Sequence, residues 1–298
     1  MTAHQGSGSV LFDTIAIVGV GLIGGSLGMA ARRKGIARRV IGIGRTEQKL
    51  MRAKILGAID EYSLDLEQGA SEADLVVLCT PVRLVVPTLE RMAESLKEGA
   101  IVTDAGSTKR EIVEQADAVM PEGRFFVGGH PMAGSEQTGV DAARPDLFAG
   151  AAYVLTPGTG TDLGALGKMT EFAGALGARV EIVSPEQHDE AVAVISHLPH
   201  AIASALMQLA EDSHRRTRKT FGLAAGSFRD LTRIADSSPE LWRDICLTNA
   251  EPLCAAITDL QSLLEGFKTA LADNDEQAIQ RFFEQARQIR QTYLRMSG

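Results

Sequence analysis

The segment from Ile15 to Gly25, IAIVGVGLIGG, constrains the fold of this chain more than any other. The β-forming run Ile15 to Val18 reads as a buried parallel strand. It stops at Gly19, Gly21 and Gly24, whose G-x-G-x-x-G spacing leads into a helix-compatible stretch from Ser26 to Lys34. Gly19 suits a tight turn, Gly21 leaves room for backbone to meet a pyrophosphate, and Gly24 lets helix and strand pack closely. The helix start offers unpaired N–H groups and the positive end of its dipole to phosphate. Three spaced glycines also fit a plain turn. The strand before and the helix after favour dinucleotide binding, with Gly19, Gly21, Leu22, Ile23 and Gly24 as the expected contacts.

The second strand, Arg39 to Ile43, should end where an acid would hold the ribose 2′-hydroxyl of NAD, about 20 residues past the glycines. Gly44-Arg45-Thr46 stands there instead. A guanidinium tolerates or prefers a 2′-phosphate, so the expected cofactor is NADP or NAD, with NADP favoured; otherwise Arg45 stacks on the adenine.

Further strands are expected at Ala73–Cys79, Ala100–Thr103, Phe125–Val127, Ala151–Leu155 and Arg179–Val183. Helices are expected between them, at Glu47–Leu56, Val82–Lys97, Thr108–Met120 and Asp162–Leu176. This alternation predicts an α/β fold, a Rossmann-type doubly wound parallel sheet. Right-handed crossovers would set the glycine turn, Thr80-Pro81, Ser107 and His130 along one rim, where ligands bind in such sheets. Thr80 and Pro81 are therefore further cofactor contacts.

From Glu186 onward only helical patterns occur, so an all-helical C-terminal domain is expected. The boundaries are 1–13 for a flexible leader, 14–184 for the dinucleotide-binding domain and 185–298 for a helical substrate and dimerisation domain. Leu253, Ile257, Leu260, Leu264, Phe267 and Leu271 form an apolar stripe that a monomer core could bury, but in so small a helical domain it favours a homodimer through the C-terminal helices.

A formal charge of −8 argues against nucleic acid or an anionic membrane surface as partner. Cys79, Cys246 and Cys254 form no CxxC pair and read as buried thiols. The first residues have no signal-peptide pattern and no run of 18 apolar residues occurs, so a cytoplasmic protein is expected.

Gly128-Gly129-His130-Pro131 places a histidine on a glycine-flanked loop, suited to taking a proton from a hydroxyl as hydride leaves the same carbon. Ser107 either hydrogen-bonds a hydroxyl or the nicotinamide amide, or caps the following helix, and the two roles are compatible. His188-Asp189 and Ser196-His197-Leu198-Pro199-His200 gather histidines near the domain junction. They lack H-E-x-x-H spacing, and hydride transfer needs no metal, so no metal site is expected. Asp189 would orient a neighbouring group and His200 would line the substrate pocket. Arg229 and Arg233, four apart, share a helical face and suit bidentate carboxylate binding, or else belong to a salt-bridged face with Asp230 and Asp244.

These stretches together resemble the prephenate dehydrogenases, a family that includes arogenate and cyclohexadienyl dehydrogenases. The matching elements are GVGLIGGSL, DAGSTK, GGHPMAGSE, HD, SHLPH and FRDLTRIADSSPELWRDI, in family order. The resemblance implies oxidative decarboxylation of prephenate to 4-hydroxyphenylpyruvate, a step of tyrosine biosynthesis. It implies that His130 and Ser107 engage the ring hydroxyl, that Arg233 grips a carboxylate, and that Glu136 and Arg229 form a gating ion pair. His200 is then the side-chain-end histidine, and Ser196 and Asp189 belong with the substrate residues. An arogenate-preferring or dual enzyme is the near alternative. A hydroxyisobutyrate-type dehydrogenase would need a lysine that Glu186 to Met207 lacks, and a non-catalytic dinucleotide sensor would not need His130, Ser107 and Arg233 together.

Overall fold

The computed structural model describes residues 10–134 and 137–296. The chain divides into two compact units, Met1–Asn249 and Ala250–Gly298.

The first unit opens with β1 (Phe12–Val18), α1 (Leu22–Arg33), β2 (Ala37–Ile43) and α2 (Glu47–Ile55). The next elements are β3 (Glu61–Ser63), α3 (Leu66–Ser71), β4 (Leu75–Leu78), α4 (Val85–Met92) and β5 (Ile101–Asp104). Then come α5 (Arg110–Val119), β6 (Phe125–Pro131), β7 (Ala152–Thr156), α6 (Leu163–Ala175) and β8 (Arg179–Ile182). β1 starts inside the stretch assigned to a leader, because Phe12 is buried and meets Phe172 of α6 edge-on.

Among the described residues the strands form one sheet in the order β3-β2-β1-β4-β5-β6-β7-β8. The whole of β4 is buried, as expected for a strand covered on both faces. Alternate β1 side chains serve two cores, Ile15 and Ile17 packing with Leu27 and Phe172, and Ala16 and Val18 with Leu89 and Ile112. Burying each large apolar side chain there contributes about 1.5–3 kcal/mol.

The sheet departs from the expected all-parallel arrangement at its far edge, where β6 and β7 pair antiparallel and β7 and β8 run parallel to each other. Between Pro131 and Ala152 the chain has no crossover α-helix among its described residues, only a 3-10 turn at Val140–Ala142, so it returns alongside β6 in the opposite sense. The short pair β3 and α3 also went unanticipated, since three residues leave too little periodicity to read.

Helices α7 (Pro185–Val192), α8 (Leu198–Thr217), α9 (Gly226–Thr232) and α10 (Pro239–Thr248) complete the unit. A π-helical turn, Ala193–His197, joins α7 to α8. The compact unit thus runs to Asn249.

The second unit is a helical hairpin of α11 (Ala250–Ala272) and α12 (Glu276–Met296). Phe267 stacks on Phe282 and meets Phe283 edge-on. The apolar stripe of α11 is buried at Leu253 but 53% and 51% exposed at Leu264 and Leu271. Cys254 is exposed rather than buried, and Cys79 and Cys246 are partly so.

Candidate functional site

The glycine turn does what its spacing requires. Gly19 has φ +92°, and a Cβ there would lie 2.6 Å from the Cys79 carbonyl oxygen. A Cβ on Gly24 would lie 2.3 Å from the Gly19 carbonyl oxygen, so this position packs α1 against the strand. A Cβ on Gly21 would meet nothing within 4 Å, which leaves open space where a pyrophosphate would approach. That space is a cleft of about 850 Å3 whose walls include Gly19, Gly21, Arg45, Thr80 and Pro81. Leu22, Ile23 and Gly24 are not among its walls; they form the first turn of α1, whose N–H groups are unpaired within the helix. Thr80 Oγ1 is buried without a hydrogen-bond partner among the described residues. The open face of Gly21, the helix start and this orphaned hydroxyl fit a dinucleotide.

At the ribose end Arg45, Thr46 and Lys49 line the cleft, and Asp141 is its one carboxylate among the described residues. Asp141 is held by Arg52 at 2.6 Å.

Two strands further along the sheet from β4, His130 sits within β6, not on a loop, paired with Val154 of β7. The glycines before it serve packing: a Cβ on Gly129 would lie 2.7 Å from the Asp104 carbonyl oxygen. The Gly129 N–H donates to Asp104 Oδ1 at 3.1 Å, which ties β6 to the loop carrying Ser107. Ser107 is partly buried, and Lys109 rather than Ser107 occupies the cap position of α5, without a side-chain cap bond.

The cap of α5 comes instead from Asp189 of α7. Its Oδ1 accepts the Lys109 N–H at 2.8 Å and its Oδ2 the Arg110 N–H at 2.9 Å. Oδ1 also lies 2.7 Å from His188 Nδ1, and His188 Nε2 lies 2.8 Å from His130 Nδ1. His188 and Asp189 are each 2% exposed, so Asp189 is enclosed behind His130 and is not placed to touch substrate. His130 itself is partly exposed, and its Nε2 makes no hydrogen bond among the described residues.

Burial holds the His130 pKa well below the ordinary histidine range, assisted by His188, Lys109 and His197. His130 is therefore neutral, and able to act as a base, at neutral pH. Lys109 is wholly buried and ion-paired with Asp104, and desolvation lowers its pKa against the opposing pull of Asp104 and Asp189.

Asn249 closes the arrangement from below. Its Nδ2 donates to the Asp189 carbonyl at 2.8 Å and lies 3.0 Å from His197 Nδ1, which accepts. His197 is buried, and desolvation pulls its pKa down to about 4. His200 donates from Nδ1 to the Ser196 carbonyl at 2.9 Å and stacks on Trp242. Ser196 lies in the π-helical turn, a local widening common at functional sites.

Arg229 and Arg233 lie on consecutive helical segments. Arg229 lies within α9, while Arg233 begins a 3-10 segment, Arg233–Asp236, which packs on α8, the helix that carries His200. Both arginines are exposed, and Arg229 donates to the Ala224 carbonyl at 3.3 Å. Asp244 pairs with Arg243 at 2.7 Å. Glu136 lies outside the described residues.

The structure thus gathers His130, His188, Asp189, Lys109 and Asn249, and through His197 joins them to Trp242 and His200. Lys109, Asn249 and Trp242 carry no spacing signal of their own. Among the described residues no group of three or more metal-ligating side chains is assembled.

A glycine-turned dinucleotide cleft at the strand ends, with a neutral imidazole two strands along the same sheet, defines a nicotinamide-dependent dehydrogenase of the Rossmann type. The family model for the prephenate dehydrogenase nucleotide-binding domain matches residues 27–182, and that for the prephenate dehydrogenase dimerization domain matches residues 184–285. A prephenate dehydrogenase of Bacillus subtilis (strain 168) is 38% identical over 279 residues, covering 93% of this chain and 75% of the relative. A cyclohexadienyl dehydrogenase of Zymomonas mobilis is 34% identical over 281 residues, covering 94% and 96%. The solved Aquifex aeolicus prephenate dehydrogenase, in complex with hydroxyphenyl propionate and NAD+, superimposes with a TM-score of 0.88 at 34% identity, covering 97% of this chain and all of the other. The chain belongs to the prephenate dehydrogenase family.

Proposed function

We propose that the protein oxidises and decarboxylates prephenate to 4-hydroxyphenylpyruvate, with His130 as the general base. A nicotinamide dinucleotide bound in the glycine-turned cleft supplies the hydride acceptor. His130 Nε2 takes the proton of the ring hydroxyl as hydride leaves the same carbon. The resulting dienone loses its ring carboxylate as CO2, and the electron pair of the broken bond aromatises the ring and ends on the oxygen. The phenolate so formed takes a proton back. Ser107, on the loop tied to Gly129 through Asp104, orients the hydroxyl. Arg233 and His200 hold the carboxylate and the side-chain end, with Ser196 fixing the His200 ring.

The cofactor we propose is NADP, supported by Arg45, Thr46 and Lys49 at the end of β2 and by the engagement of Asp141 with Arg52. We also propose a homodimer through the C-terminal helices, supported by the exposed apolar residues Leu263, Leu264 and Leu271 of α11 and Ile289 and Leu294 of α12.

The observation that carries the catalytic reading is the His130 imidazole: partly exposed, held on its Nδ1 side and kept neutral by its surroundings. Assaying prephenate and arogenate with NAD+ and NADP+ tests it. Turnover of prephenate is expected, and His130→Asn should lower kcat about 10²- to 10⁴-fold without weakening cofactor binding. Wild-type kcat in that variant would remove His130 from the role of base.

A further inference from the structure

The reaction proposed above borrows a proton and returns it, so the base has to hold that proton until the phenolate forms. The side chains behind His130 are built for this. Asp189 is buried and accepts the Lys109 and Arg110 N–H groups at the start of α5, a ten-residue helix. As a carboxylate receiving those N–H groups at the positive end of a helix, it can only accept. The hydrogen between Asp189 and His188 is therefore on His188 Nδ1. A neutral His188 then presents a bare Nε2, and the 2.8 Å contact with His130 Nδ1 needs a hydrogen on His130. The bare nitrogen of His130 is in consequence Nε2, the one that a base must offer.

From this geometry we infer that His188 and Asp189 are positioning residues that set the His130 tautomer and store the proton it takes from substrate. The inference rests on His130 being the base. When Nε2 gains the substrate proton, the Nδ1 proton crosses to His188 Nε2. His130 is left neutral, with its hydrogen on Nε2, and His188 becomes an imidazolium against the Asp189 carboxylate. The return of a proton to the phenolate reverses both transfers, so no proton is gained or lost overall.

The surroundings favour charge on the inner ring. His130 is influenced by Lys109, whose positive charge would oppose an imidazolium there. His188 instead touches the Asp189 carboxylate. Asp104 is taken up by Lys109 and by the Gly106 and Gly129 N–H groups, and Tyr153 on β7 is buried, with desolvation raising its pKa, so neither competes for the proton. Asn249 fixes Asp189 through the backbone carbonyl.

Imidazole 15N NMR of the full chain at neutral pH, with His188→Gln used for assignment, reads the tautomers without turnover. The expected spectrum has protonated Nδ1 on both His130 and His188 and an unprotonated Nε2 on His130. A protonated His130 Nε2 would overturn the inference. In kinetics, His188→Gln should lower kcat about 10²-fold while KM for substrate and cofactor stays within about twofold. It should also turn a curved proton inventory in mixed H2O and D2O into a straight one. An unchanged kcat, or a loss confined to KM, would count against a proton store. If the wild-type protein oxidises neither prephenate nor arogenate, the function assigned above fails while the NMR result still judges the tautomer. If it turns over with Nε2 protonated, the tautomer assignment and the proton store both fail while the overall reaction stands.

Discussion

The imidazole of His200 lies against the indole of Trp242, with ring centroids 3.7 Å apart and planes 27° from parallel. Trp242 also meets His197 edge-on at 5.9 Å, so one indole contacts two histidines, one in the π-helical turn and one in α8. His200 is a half-buried ring whose Nδ1 is committed to the Ser196 carbonyl, and the stack holds its other nitrogen in one direction. An aromatic pair of this kind contributes about 0.5–1.5 kcal/mol beyond its buried area. Trp242→Leu should therefore raise the substrate KM about 2- to 10-fold with kcat little changed. Steady-state kinetics check this, and an unaltered KM would detach His200 from substrate binding.

Arg233 is exposed at the start of a 3-10 segment, so the contact proposed for it with a substrate carboxylate would be made next to water. Truncation then costs less than the loss of a fully buried partner. Arg233→Ala is expected to raise KM about tenfold, near 1.4 kcal/mol, and Arg233→Lys to recover only part of it because the planar fork is lost. A KM equal to wild type in both variants would place the carboxylate site elsewhere.

His197 links pH to stability. In the unfolded chain it titrates at an ordinary histidine value, whereas burial brings its folded pKa to about 4. Between these two values the unfolded chain binds a proton that the folded chain does not, so stability falls as pH drops through that window. The loss is on the order of 3 kcal/mol once both pKa values have been passed. Denaturant midpoints of the wild type should decline from pH 7 towards pH 4, and those of His197→Gln should decline less. Parallel declines would show that other groups dominate acid unfolding.

At the cofactor end, Arg45→Asp restores an acid that can hold a ribose 2′-hydroxyl and repels a 2′-phosphate. The ratio of kcat/KM for NADP+ to that for NAD+ should fall by about tenfold or more, on the scale of one lost charge-assisted contact. If the ratio does not move, Arg45 serves the adenine alone.

Local pattern was enough for the dinucleotide half. Continuous apolar strands, the glycine spacing and the helix between β1 and β2 are decided over a few residues, and Gly19, Gly21 and Gly24 each meet the backbone constraint their positions imply. Two features escaped that logic. β6 extends through His130 because β7 returns to pair with it, a long-range choice made by the 20 residues between them. The change from α9 to a 3-10 segment at Arg233 is another, since the four-residue spacing of the arginines does not signal it.

By itself, then, the order of residues determined a Rossmann-type sheet, a helical C-terminal half and the identity of the candidate base, since periodicity and turn chemistry act locally. Only the tertiary structure decided what stands behind that base. Asp189 follows Lys109 by 80 residues and precedes Asn249 by 60, and they meet because the start of α5 needed an acceptor and a buried carboxylate needed donors. No spacing encodes that mutual satisfaction; it exists once α7 has packed against the sheet domain.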